Sequence, residues 1–289
     1  MKSELNKLWD RGDNEIRLFQ KMSYILGFTY DVAFVKEVHA RMVHFDSSSL
    51  KIPITKEIAD VWIIAYSPVL KQGKMTFLQA KYQRKGLSVP RIFKADYFQY
   101  ELLSQRLKLT SGGTLNLPKD ILSIGCCDSI GSYGVFYWDT GNKIDMAYCC
   151  ASNLTTSSVL PATRGVHLVD LQFPALSEAV SGCGKCHSCQ ELNFTYDINT
   201  FRDSILDLEI GADIQHHPEI LELIKSTSAK YIQEPAVSGL LSFINDIMPN
   251  SGEGRDNTSE ESNEPILPGH LFVINVDGRE GFTGTFNDI

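Results

Sequence analysis

Two apolar runs joined by a short polar loop constrain this chain more than any other feature. VWIIAY follows Asp60, and KMTFLQAKYQ begins at Lys74; both are rich in β-branched and aromatic residues. SPVLKQG between them has hairpin length, so the pair predicts adjacent antiparallel strands. In an extended chain, residues two apart face the same side. Gln79 and Lys81 therefore project together, and the hairpin can bring Asp60 beside them. A carboxylate and an amide oxygen side by side suit a divalent cation, with carbonyl oxygens and water filling the other positions. A lysine two residues on can orient a water or stabilise charge developing on a phosphate. The chemistry indicated is hydrolysis of a phosphodiester.

Charge distribution points the same way. The net charge is −8, from 27 basic and 35 acidic residues. Between Lys71 and Lys108 lie nine of those bases and two of the acids, so the remaining chain holds 18 and 33. A basic island in an acidic protein is the electrostatic footprint expected for a polyanion. Within and beside it, Lys74, Arg84, Lys85, Arg91 and Lys94 are the candidate nucleic-acid contacts. The competing reading of such an island is a solvated lysine-rich face.

Asp13 is a good N-cap for the helix NEIRLFQKMSYIL, with Gly27 as its stop. At 100° per residue, Glu15 falls in the middle of the stripe made by Leu18, Phe19, Met22 and Leu26. A carboxylate there is paired, desolvated or at the rim of a site. Further on, VAFV and RMVHF read as strands or a hairpin. RIFKADYFQYELLSQRLKL reads as a helix, and DILSIGCC, GVFYWDT and KIDMAYCCAS read as strands. HLVDLQFPALSEAV, TFRDSILDLE and HPEILELIKSTSAKYI are expected to be helical. NSGEGRDNTSEESNEP is a polar linker, and HLFVINV is one short strand that must pair upstream.

The spacing of Asp60, Gln79-Ala80-Lys81 and the helix bearing Glu15 resembles the PD-(D/E)xK nuclease superfamily. It is similar to the branches in which glutamine replaces the second acid, as in Mrr-like restriction nucleases and some antiphage effector nucleases. RGDNE at Arg11 to Glu15 also looks like the helix entry of archaeal-type Holliday junction resolvases. The resemblance implies an α/β (α+β) protein with a restriction-endonuclease-like αβββαβ core. It also implies Mg²⁺-dependent cleavage of DNA, set in restriction or phage defence. Asp60 and Gln79 would hold the Mg²⁺, Glu15 would assist, and Lys81 would position or activate water. Ala59 stands where the family has proline, and Gln79 removes one metal-binding charge. No P-loop occurs, so an ATP-driven step would fall to a partner such as an ATPase, a helicase or another defence-system subunit. The alternative is a non-catalytic DNA-binding or assembly subunit on a degenerate nuclease fold.

Cys183, Cys186 and Cys189 form CGKCHSC. Two CxxC steps gather three thiolates, and tetrahedral Zn²⁺ takes three thiolates plus a fourth ligand. Cys149 is the leading fourth ligand, with Cys150, Cys126, Cys127 and His167 as alternatives. The trio is also similar to the clustered cysteines of iron–sulfur nucleases, so an Fe–S cluster is the competing cofactor. The expected organisation is a nuclease-like core over 1–150 and a mostly helical region bearing the metal knuckle over 151–249. A flexible acidic linker over 250–266 and a strand and tail over 267–289 complete it. With 43% hydrophobic and 21% charged residues, the chain has the composition of a globular protein with a real core. No apolar run approaches the ~20 residues of a membrane span. The charged N-terminus lacks a signal-peptide apolar region, and seven cysteines suit no secreted disulfide framework. A cytoplasmic location without membrane contact is the expectation.

Overall fold

In the computed structural model, Val61–Ser67 (β4) and Gln72–Gln83 (β5) pair antiparallel, with Val61 opposite Leu78 and Ser67 opposite Gln72. All seven residues of β4 are buried, which accounts for its unbroken apolar run: both of its faces are covered. The residues described are 1–36, 42–83, 92–110, 117–124, 128–158, 161–174, 197–248 and 269–278.

Around this hairpin the chain builds a mixed sheet in an α+β protein. Asp31–Lys36 (β1), Gly131–Trp138 (β7), Ile144–Cys150 (β8) and His270–Asn275 (β12) give the order β1-β12-β4-β5-β7-β8, with the short Ala212–Asp213 (β11) also on β5. β12 runs parallel to β4 and antiparallel to β1, and β7 runs parallel to β5. HLFVINV therefore lies inside the sheet, between two strands from the first quarter of the chain. Its burial on both sides follows from that place.

One face of the sheet is covered by Lys2–Leu8 (α1), Glu15–Leu26 (α2) and Ile198–Leu206 (α4). Leu18, Phe19, Met22 and Leu26 of α2 pack there on Leu78, Ala80, Phe136 and Phe272. The other face carries Tyr97–Gln105 (α3), Pro218–Ser228 (α5) and Pro235–Ile247 (α6). The hairpin of Met42–Asp46 (β2) with Pro53–Glu57 (β3) lies on that side too. So does a small sheet of Ile92–Asp96 (β6), Leu168–Gln172 (β10) and Thr155–Thr156 (β9).

Several local expectations need correction. VAFV and RMVHF are strands but do not pair with each other: β1 joins β12, and β2 joins β3. The helix expected from Arg91 begins only at Tyr97. Ile92–Asp96 is a strand whose Phe93 and Ala95 point inward, and Asp96 then caps α3 by accepting from the backbone of Phe98 and Gln99, each at 3.1 Å. HLVDLQF contains the strand β10 instead of a helix, because Val169 and Leu171 alternate into the core while Leu168, Asp170 and Gln172 face out. Where DILSIGCC was expected to be a strand, Ile121–Ser123 forms a single 3-10 turn. Among the described residues no helix is long and apolar enough to cross a membrane.

Candidate active site at the β4–β5 hairpin

The antiparallel register sets Val61 against Leu78, and the next residues outward from that pair are Asp60 and Gln79. Asp60 sits at the mouth of β4, and its Oδ2 accepts from the Gln79 carboxamide nitrogen and, at 2.9 Å, from the Ala80 backbone N–H. Gln79 is 2% exposed, and its carboxamide oxygen is buried without a hydrogen-bond partner among the described residues. Lys81 lies two residues further on the same face of β5, half-buried. Its ammonium is the main opposing charge on Asp60. Asp60 and Gln79 are thus in contact, and Lys81 lies within electrostatic reach of Asp60.

Burial dominates the electrostatics. It pushes the Asp60 carboxyl from 3.8 up to about 6, against the pull of Lys81 and of the Ala80 N–H; the charges of Glu57 and then Glu15 push it further. Glu15, the first residue of α2, approaches from the helix-covered face opposite Gln79 and Lys81. Helix α2 starts there because the Asn14 side chain accepts from the Arg17 N–H at 2.9 Å. Asp13, expected to be the cap, is instead buried in an ion pair with Lys21 at 2.6 Å.

Three neighbours carried no expectation. Glu57 ends β3 and acts on Asp60 more strongly than Glu15 does; its position three residues before Asp60 was the available signal. Tyr133 of β7 stands directly beside Gln79 in the parallel register, fully buried, with its hydroxyl unpartnered among the described residues. His270 opens β12 and donates its backbone N–H to the Asp60 carbonyl at 3.1 Å. Its ring stacks on Phe34 at 5.3 Å, and burial lowers its pKa from 6.5. Nothing in the local sequence marks Tyr133 or His270, since both arrive through strand order.

Beyond Lys81 a cleft of about 450 Å³ opens between β5 and the small sheet, lined by Lys81, Tyr82, Gln83, Phe93, Lys94 and Asp170 among others. Lys94 is 68% exposed there and pairs loosely with Asp170 at 3.2 Å. Lys74, expected to be a nucleic-acid contact, lies away from this cleft. It sits toward the other end of β5, its side chain 11% exposed and ion-paired with Asp213 at 2.9 Å. Arg84, Lys85 and Arg91 lie outside the described residues.

The residues present fit a hard cation chemically. A half-buried carboxylate lies beside a buried carboxamide oxygen that lacks a donor among the described residues, so two oxygen ligands are on offer. Among the described residues, no three His, Cys, Asp or Glu side chains gather into a metal-binding group. Cys183, Cys186 and Cys189 lie outside the described residues. Cys149 is free, wholly buried in the core under the sheet, and burial pushes its thiol up to about 12, which favours the neutral form. Cys150 is buried as well; His167 binds the Thr163 carbonyl at 2.8 Å through its Nε2. No protein-family model, curated protein or solved structure matches the chain.

Proposed function

We propose that the protein is a Mg²⁺-dependent nuclease that hydrolyses phosphodiester bonds in DNA. The observation that carries this reading is the convergence of Asp60, Gln79 and Lys81 on one strand pair, with an unpartnered carboxamide oxygen and a carboxyl pushed up by burial. Asp60 and Gln79 would hold the cation. Once bound, it would lower the pKa of a water and polarise a phosphate oxygen. Lys81 presents its charge toward the cleft, where a phosphate entering beside Asp60 would meet it. Lys94, on the far wall, offers a second cation to the backbone of the substrate. Glu15 and Glu57 keep the vicinity of Asp60 negative, which favours a divalent cation there.

The order helix α2, strands β1, β4 and β5, helix α3, strand β7 supports the αβββαβ core implied by the resemblance, with β2, β3 and β6 as insertions and β12 as an additional strand.

The test is cleavage of plasmid DNA with Mg²⁺ by the wild type, Asp60→Ala and Lys81→Ala. The expected result is cutting by the wild type that is lost in both variants. DNA binding without cutting, unchanged by either substitution, would instead identify the non-catalytic module.

A further inference from the structure

Two polar atoms in the middle of this protein are buried without partners, and they belong to neighbours. Gln79 and Tyr133 stand side by side on β5 and β7, and odd-numbered residues of both strands face the same side. The Gln79 carboxamide oxygen and the Tyr133 hydroxyl are each unpartnered among the described residues. Leaving such groups dry is costly, and two that face one side on neighbouring strands can share an occupant. The phenol ring is fixed: it is 0% exposed and packs on Phe93 with ring centroids 5.5 Å apart. Its hydroxyl lies within the electrostatic reach of Asp60 and Asp96, and burial holds it neutral. A neutral phenol both donates and accepts a hydrogen bond.

Asp96 is already engaged. It caps α3 and pairs with Lys56 at 2.9 Å, so it makes no call on the phenol. Of the two carboxylates within reach of the phenol, Asp60 is the one that belongs to the cation site. Mg²⁺ and Mn²⁺ keep several waters when bound by one or two protein oxygens, and those waters are strong hydrogen-bond donors.

We infer that Tyr133 is a positioning residue of the cation site, its hydroxyl accepting a hydrogen bond from a water carried by the ion that Asp60 and Gln79 hold. The inference rests on the cation-dependent reading above and adds a residue to it. Outer groups that orient metal-bound ligands typically change metal affinity 10- to 100-fold when removed. Tyr133→Phe deletes one oxygen and keeps the ring against Phe93.

The experiment is calorimetric titration of Mn²⁺ into the full chain for wild type, Asp60→Asn and Tyr133→Phe, with a thermal melt of each in chelator. Wild type is expected to bind and Asp60→Asn to lose binding. Tyr133→Phe is expected to bind roughly 10- to 100-fold more weakly while melting, metal-free, at or above the wild-type temperature. A purely structural hydroxyl would do the reverse: a lower melting temperature with unchanged affinity. Wild-type affinity in Tyr133→Phe, or a lowered metal-free melt, overturns the role of Tyr133 and leaves the cation site standing. Mn²⁺ binding that is absent from the wild type, or indifferent to Asp60→Asn, overturns the cation site and the role of Tyr133 with it.

Discussion

Asp60 carries a charge at neutral pH that its surroundings disfavour. Its folded pKa of about 6 lies above the unfolded value near 3.8, so between those values the native state holds the extra proton. Stability therefore falls as pH rises through that window and stays reduced above it. Asp60→Asn is expected to raise metal-free stability at pH 7 by up to about 3 kcal/mol and to give no gain at pH 4; urea denaturation at the two pH values reads this. A gain at pH 4 equal to that at pH 7 would show that the buried charge is not its source. A cation must displace the proton, so Mg²⁺ affinity should drop as pH falls below about 6, measurable by titration at pH 7.5 and 5.5. Asp60, Gln79 and Lys81 were legible in the sequence because strand alternation and one short loop suffice to bring them together. Tyr133 was not, because no local period relates β7 to β5; for Glu57 the only signal was its place three residues before Asp60, outside the strand pair.

Among the elements, the clearest lesson lies at Asp96. Phe93, Tyr97 and Tyr100 have helical spacing, and so do Tyr100, Leu103 and Leu107, which hides a strand in Ile92–Asp96. What divides them is a capping carboxylate, and it outweighs the periodicity because it satisfies two N–H groups at the start of α3 and holds Lys56. Asp96→Ala is expected to cost about 1–2 kcal/mol in chemical denaturation; a change under a few tenths would remove the cap from this account. The join of β11 to β5 depends on Gly211, at φ +103°, where a Cβ would fall 2.5 Å from the Met75 carbonyl oxygen. Gly211→Ala should lower the melting temperature by several degrees, through both the backbone conformation and that clash. An unchanged melt would mean that the β11 contact is dispensable.

At the scale of the molecule, the sheet gathers strands from residue 31 to residue 275, and β12 fills the place between β1 and β4. Sequence alone showed that HLFVINV needed a partner but could not say which, since parallel pairing with β4 leaves no turn signal. The chain beyond Asn250 therefore carries an interior strand of the sheet. Truncation before Asn250 is expected to abolish cooperative unfolding, because Val61–Ser67 would lose the neighbour that buries its edge; circular dichroism melts of the truncated chain read this directly. The same topology sets the mouth of β4, where the backbone of His270 meets Asp60, at the centre of the sheet's end. The account stands or falls on what occupies that place. Crystals grown with Mn²⁺ and measured for anomalous scattering should show a peak about 2.0–2.2 Å from the Asp60 carboxylate and the Gln79 carboxamide oxygen. A peak held by other residues, or none at saturating Mn²⁺, would contradict it.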